Sequence, residues 1–259
     1  MCYNISNTKR KAQILEGTYN AKFDYPAAYQ PYYHFNAIAD VYSEKLEKQN
    51  LYIITQENPN KIDFASWGLM PSDWVGTRKQ WADRNFTFNS KSERLFQSDL
   101  YSKHIFENRC LIIADGMFES HEVVGHKRKI PHYFKTKNHD LFAFAGIYSV
   151  NDNVSETPSI TASIITREAL PFWKEIHNKT NEDDQYRMPT VLDPSNYQDW
   201  LNPNLSKTDI EILARDFTKQ EIEVYPVSKD VNSNVDSNRA DIIQRVNHSE
   251  LNQQLDLFG

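Results

Sequence analysis

Short runs rich in β-branched and aromatic residues recur along the chain at 51–55, 110–114, 131–136, 141–145 and 159–166, separated by polar and turn-forming stretches. Runs of this length and composition predict buried or half-buried strands. Apolar residues at helical spacing are rarer and predict helices over 99–107, 167–177 and 206–217. In the last of these, Ser206 followed three positions on by Asp209 reads as a capping box ahead of Ile210, Ile212 and Leu213. The strands come in runs instead of alternating strictly with helices, which favours an α+β fold with a mixed sheet over a doubly wound one. No repeat, low-complexity tract or glycine-rich linker divides the chain, so 1–246 is expected to form one domain. The closing stretch, 247–259, is polar until Leu255-Asp256-Leu257-Phe258 and reads as a flexible tail.

Composition narrows the class. With 259 residues, 39 % hydrophobic, 13 % aromatic and 25 % charged, the chain can bury a sizeable core and is not of the disordered type. No apolar run approaches the roughly 18 residues of a membrane-spanning helix, and no basic-then-apolar leader opens the chain, so a cytoplasmic protein is expected. Cys2 and Cys110 are too few for a disulfide framework or a four-cysteine zinc site. The net charge of −6 hides an asymmetry: residues 78–137 hold 12 Lys/Arg against 7 Asp/Glu, a local +5 that leaves −11 elsewhere. A basic stretch in an acidic molecule is either a solvated face or the footprint of a polyanion.

Cys2 offers unusual chemistry. If Met1 is removed, one residue carries both an α-amine, with a reference pKa of about 7.7 to 8.0, and a thiol at about 8.5. An aldehyde is the natural partner for the two together: the amine forms a Schiff base and the thiol closes a five-membered thiazolidine, which an internal cysteine cannot do. The segment from His121 to His126 resembles a zinc-binding helix but is one residue too long. At 100° per residue its histidines would stand about 140° apart, so it is expected to be a basic hairpin loop with Lys127, Arg128 and Lys129, and no metal site is expected. Asn89, Glu119 and His177 are polar residues set in otherwise structural segments. Each alone reads as a cap, a strand end or a helix-terminal cation as readily as a catalytic group.

An ordered set of landmarks joins these residues: Met1-Cys2, Trp67-Gly68-Leu69-Met70-Pro71, Asn89-Ser90-Lys91-Ser92-Glu93, the run from Cys110 to Glu119, Phe144-Ala145-Gly146, Glu175-Ile176-His177, Arg187-Met188-Pro189, and Tyr225-Pro226-Val227-Ser228 before Val231-Asn232. In this order and spacing the chain resembles the SOS-response-associated peptidase (SRAP) family, abasic-site-processing proteins that cross-link to DNA. The resemblance implies an α+β single domain built on a central barrel-like mixed β-sheet with peripheral helices, and a narrow groove for single-stranded DNA with Cys2 at its centre. It implies a catalytic set of Cys2, Asn89, Glu119 and His177, with Glu119 also assisting removal of Met1. Lys91, Arg78, Arg84 and Arg187 become candidates for DNA contact, and Trp67 or Met70 for stacking against or wedging bases. No cofactor is implied, and a monomer working at damaged replication forks on the nucleoid is expected. The chain departs from the family where Tyr3-Asn4 stands in place of Gly-Arg, Ser90-Lys91 in place of Ala-Arg, and an acidic insert, Asn181-Glu182-Asp183-Asp184, follows His177.

Two other classes fit part of the pattern. An N-terminal-nucleophile amidohydrolase also begins Met-Cys, and a non-catalytic single-strand-binding module would leave Cys2 incidental. The tail adds a partner: Gln254, Leu255, Leu257 and Phe258 resemble the peptide that docks on the bacterial sliding clamp, a glutamine for the groove rim and apolar anchors for a pocket.

Overall fold

The computed structural model describes residues 2–8, 30–43, 50–137, 141–153, 159–181, 183–233 and 235–251. In chain order its strands are β1 (Asn4–Asn7), β2 (Tyr32–Asn36), β3 (Leu51–Thr55), β4 (Ile62–Trp67), β5 (Asn89–Lys91), β6 (Arg109–Ala114), β7 (Gly116–His121), β8 (Ile130–Thr136), β9 (Phe142–Val150), β10 (Ile160–Glu168), β11 (Arg187–Pro189) and β12 (Ile222–Pro226). The helices are short: α1 (Ala37–Val41), α2 (Arg78–Ala82), α3 (Pro171–Ile176), α4 (Tyr197–Leu201) and α5 (Lys207–Leu213). None is long and apolar enough to cross a membrane among the described residues.

The mixed sheet runs β11-β10-β4-β3-β6-β9 and closes on itself because β9 also pairs with β10. The result is ring-like but not a strict barrel, since the parallel seam between β10 and β4 spans only Thr161↔Ser66 and Ala162↔Trp67. Beyond that seam the same edge of β10 pairs in parallel with β5, at Ile164↔Asn89 to Thr166↔Lys91. Its other edge passes from β9 to β11. The all-buried pattern of β6 explains its apolar run from Cys110 to Ala114: both faces are covered. Ile53, Ile112, Phe144, Ile164 and Trp200 belong to the core around the ring. The expected α+β class and central barrel-like mixed sheet are therefore observed, with a second sheet added.

That second sheet, β12-β8-β7-β1-β2, is antiparallel throughout. β1 lies between β2 and β7, and its Ser6 joins a polar cluster at the turn between β6 and β7. Ser6 Oγ donates to Asp115 Oδ1 at 2.6 Å and lies 2.8 Å from Tyr133 Oη, while the Thr8 backbone N–H donates to Asp115 Oδ2 at 2.8 Å. Tyr133 crosses directly over Gly116, where an added Cβ would come within 2.1 Å of its ring.

All five sequence-expected strands are present within a few residues. The helices fare unevenly, for identifiable reasons. Residues 99–107 form successive turns instead of a helix, and the buried Arg109 guanidinium closes their end by donating to the carbonyls of Ile105 and Phe106 at 2.7 and 2.8 Å. Residues 167–168 remain in β10, paired with Met188 and Arg187, and the helix begins only at Pro171, whose missing N–H suits a first turn. α5 carries both halves of the Ser206–Asp209 capping box. The first part of the tail is tied down: Val246 N–H donates to the Pro226 carbonyl at 2.9 Å, His248 Nε2 meets the Val227 carbonyl at 2.8 Å, and Lys229 pairs with Glu250. Gln254, Leu255, Leu257 and Phe258 lie outside the described residues.

Gly116→Ala should lower stability by about 1–3 kcal/mol through overpacking against Tyr133, read as a reduced urea midpoint at unchanged slope. An unaltered midpoint would mean that Tyr133 can move aside at no cost.

Candidate active site

Cys2 enters directly ahead of β1 and is buried. Asn89, at the start of β5, donates its Nδ2 to the Cys2 carbonyl at 3.0 Å. Its own position comes from the pairing of β5 with β10, reinforced by a 2.7 Å bond between Ser90 Oγ and Ser163 Oγ. The residues that follow Cys2 are also held: the Tyr3 carbonyl accepts from Ala37 N–H at 2.9 Å, and Asn4 Oδ1 accepts from Asn36 Nδ2 at 2.6 Å and lies 2.9 Å from His34 Nε2. Asn89 Oδ1 is buried without a hydrogen-bond partner among the described residues, an acceptor beside the N-terminal backbone.

Glu119 lies on β7, the neighbour of β1, and is buried. His177 caps the C-terminal end of α3 and brings Nδ1 to 3.1 Å from Glu119 Oε2. A residue that sequence reasoning missed fixes this approach. Asn178 grips the backbone of Glu122 from both sides, accepting from its N–H at 2.7 Å and donating to its carbonyl at 2.8 Å, which staples the end of α3 to the β7–β8 hairpin. Its only sequence signal was adjacency to His177.

The electrostatics follow from this packing. Burial, and next the negative charge of Glu119, push the Cys2 thiol well above its ordinary range, only partly offset by the charge of the N-terminal amine and by the Asn4 backbone N–H. Burial alone would raise Glu119 too, but the charge of His177, that of the N-terminal amine and the His177 hydrogen bond, with Lys129 contributing, hold its carboxyl below the usual value. The site thus holds a protonated thiol beside an ionised carboxylate that is in contact with an imidazole, an arrangement suited to moving protons and to amine chemistry.

A cleft of about 1060 Å³ opens over Glu119 and His177, with Tyr3 and Asn4 also in its lining. Its walls carry Lys127, Arg128 and Lys129 from the β7–β8 hairpin, together with Lys179, Arg187 and Lys229. The segment from His121 to His126 is thus the end of β7 and part of a basic hairpin loop, as its spacing implied.

The candidate DNA contacts divide sharply. Trp67 is 1 % exposed, with Nε1 donating to the Phe88 carbonyl at 2.9 Å, and Met70 is 2 % exposed, so neither presents a face for stacking or wedging. Both are core residues: the turn at Gly68, with φ +114°, carries the chain past Phe88 and leaves Trp67 inside. Arg78 is buried between α1 and α2, 3.5 Å from Asp40, and is not presented to a polyanion. Arg84 is exposed but does not line the cleft. Lys91 pairs with Asp183 of the acidic insert, and Arg187 lines the cleft while forming a two-pronged pair with Glu93. Lys91 and Arg187 flank the same end of β10, on β5 and β11.

Comparison with known proteins agrees with this architecture. The profile of the SOS response associated peptidase (SRAP) family matches residues 1–234. The chain is similar to abasic site processing protein YoaM of Bacillus subtilis (strain 168), at 32 % identity over 199 residues, covering 76 % of this chain and 82 % of that one. It is likewise similar to abasic site processing protein YoqW of Bacillus phage SPbeta, at 32 % identity over 184 residues, covering 71 % and 76 %. A crystal structure of a protein from Bacteroides thetaiotaomicron superimposes with a TM-score of 0.77 at 26 % identity, covering 95 % of this chain and 100 % of that one.

The depressed carboxyl of Glu119 has a consequence for stability. A group whose pKa is lower folded than unfolded contributes stability above its unfolded value and loses it as pH falls through the folded value. The stability difference between the native protein and Glu119→Gln should therefore hold steady near neutrality and shrink below pH 4.5, the ordinary glutamate value. Urea titrations across pH 7 to about 3 test this; a difference that widened on acidification would contradict the Glu119–His177 pairing.

Proposed function

This chain belongs to the SOS response associated peptidase family, and from that premise and the site geometry we propose that it captures abasic sites in single-stranded DNA as a covalent thiazolidine on Cys2. The observation that carries the reading is the placement of Cys2, held by Asn89 at the start of β1, beside a buried Glu119 in contact with His177 under a basic cleft. Hydrolysis of the Met1–Cys2 amide, with Glu119 as the general base for water, frees the α-amine. An abasic residue lacks a base and in its ring-opened form presents an aldehyde at C1′, so a protein N-terminus can reach that carbon.

Burial of the Cys2 thiol supports a reading in which nitrogen acts before sulfur. The amine attacks C1′ first, and His177 supplies a proton to the sugar ring oxygen as the ring opens. Water leaves the carbinolamine to give an imine. The thiol then adds across the C=N bond, its proton passing through Glu119 to nitrogen, and the sum is aldehyde plus aminothiol giving thiazolidine plus water. Asn89 keeps the N-terminal backbone in register throughout. Lys91, Arg187 and the hairpin cations Lys127, Arg128 and Lys129 receive the backbone phosphates, a sequence-independent interaction. Recruitment to replication forks through Gln254, Leu255, Leu257 and Phe258 is part of the same proposal.

Denaturing gel electrophoresis after incubation with single-stranded DNA holding one abasic site is the direct test. The native protein should give a covalent adduct, Cys2→Ala none and Cys2→Ser at most a weaker one, because an oxazolidine closes less favourably than a thiazolidine. An undiminished adduct from a protein with an uncleaved residue ahead of Cys2 would refute the mechanism.

The acidic insert competes for Lys91. Asp183→Ala should tighten single-strand binding by about 2- to 5-fold at low salt, the scale of one exposed ion pair, and steepen the salt dependence. Weaker binding would show that Asp183 orders the groove instead of occupying its cation.

A further inference from the structure

Strand β2 carries a buried histidine that the mechanism above leaves unused. His34 is 5 % exposed and lies diagonally across from Asn4, whose direct partner in the β1–β2 ladder is Asn36. Its hydrogen bonds can be oriented outward from a fixed backbone group. The Ala39 N–H donates to Asn36 Oδ1 at 2.7 Å, so Asn36 offers its Nδ2, and the atom this meets on Asn4 at 2.6 Å is the oxygen Oδ1. An oxygen there requires a proton on His34 Nε2, 2.9 Å away. Burial holds the ring's pKa down at about 4, so the ring is neutral at physiological pH and its Nδ1 accepts from the Ser237 hydroxyl at 2.5 Å. One tautomer satisfies all of these contacts.

We propose that His34 is a positioning residue for the nucleophile: through Asn4 it holds the Cys2 sulfur where ring closure needs it, and it passes to that sulfur the hold of a C-terminal strap, residues 235–246. The role in ring closure rests on the function proposed above. Asn4 is the link, because its side chain meets His34 while its backbone N–H hydrogen-bonds the Cys2 thiol. The His34 ring also packs edge-on against Phe118 at 5.0 Å and 73°, and Phe118 directly precedes Glu119. The strap lies past the residues that the family profile matches. It runs from β2 to β12, the two edges of the second sheet. At β2, Asn238 Oδ1 accepts from the Tyr33 and His34 N–H groups at 2.8 and 3.3 Å. Beyond it Ile242 is buried in one cluster with Phe118 and Tyr225, and the Ile243 carbonyl accepts from Tyr225 Oη at 3.0 Å. The chemistry makes sulfur the atom that needs such a hold. The amine has only to reach C1′, whereas the thiol must stand against one face of the C=N bond, and a displacement of about 1 Å is enough to slow such a step.

The test counts the two covalent species separately. A thiazolidine survives a denaturing gel unaided, whereas an imine survives only after borohydride has reduced it to a secondary amine. His34→Leu keeps bulk against Phe118 and removes both ring hydrogen bonds. At saturating abasic single strand it should slow thiazolidine formation by about 10- to 100-fold and leave the borohydride-trapped imine at the native level or above. Its affinity for a strand holding a tetrahydrofuran analogue, which has no aldehyde, should stay within about 2-fold of native. His34→Gln, whose amide can still donate to Asn4, should recover most of the rate, and Ser237→Ala should show a smaller loss of the same kind. Thermal melts establish that each variant is folded. An equal fall of imine and thiazolidine, an undiminished thiazolidine rate in His34→Leu, or no recovery in a folded His34→Gln would overturn the proposal. A measurement without DNA keeps its failure apart from that of the function. Hydrogen exchange at the Asn4 amide should be about 10-fold faster in His34→Leu than in the native protein, and near native in His34→Gln. Faster exchange in a protein whose native form gives no adduct leaves the His34–Asn4 hold standing and removes the covalent mechanism, whereas unchanged exchange removes the hold whatever the gel shows.

Discussion

The site depends on β1 being an interior strand of its sheet. A chain terminus is normally the least ordered part of a protein, because few contacts offset its conformational entropy. Here β1 pairs with β2 on one side and β7 on the other, and Ser6 is tied into the Asp115 and Tyr133 cluster at the β6–β7 turn. Cys2 is therefore carried on a strand whose register cannot slip without exposing Ile5 and breaking that cluster. The close passage of Tyr133 over Gly116 belongs to the same constraint, since a side chain there would drive β7 and β8 apart. The bond from Asn89 then links this sheet to the ring-like sheet, so both sheets fix the first described residue.

Burial at this point does chemical as well as mechanical work. Removing Cys2 from water disfavours its thiolate, and the ionised Glu119 disfavours it further. A sulfur in that state is a poor nucleophile, which is why the proposed mechanism gives the opening step to nitrogen. Glu119 remains ionised while buried chiefly because His177 meets it, and His177 is held there as Asn178 clamps the end of a six-residue helix to the Glu122 backbone. The proton-handling pair thus rests on a joint between a helix end and a hairpin, not on either element alone.

The cations around the cleft are mostly engaged by acids of the same chain. Glu122 pairs with Lys129 and Lys179, Glu93 with Arg187, and Asp183 with Lys91. The lysine pairs are exposed and weak, so they hold long side chains in place at little cost to exchange, whereas Arg187 is buried and gripped at two points by Glu93. The overall negative charge of the chain is compatible with a polyanion-binding face for this reason: the basic residues are gathered on one wall, and the acids nearest to them are replaceable partners.

Much was legible in the sequence by itself. The strands appear as apolar runs because both faces of β6 and most of β9 are buried, and the capping box of α5 is a local hydrogen-bond pattern that needs no tertiary context. The chemistry of Cys2 follows from residue type and position, and the ordered landmarks carried Asn89, Glu119 and His177. Tertiary structure decided what local pattern cannot hold. A tryptophan reads the same in a groove or a core, and only the turn at Gly68 and the bond to Phe88 put Trp67 inside. A lysine reads as free until a partner 92 residues away is placed beside it, as Asp183 is beside Lys91. In each case the deciding contact joins elements whose proximity is set by strand pairing and loop closure across the whole chain, and periodicity within a window of residues carries no information about it.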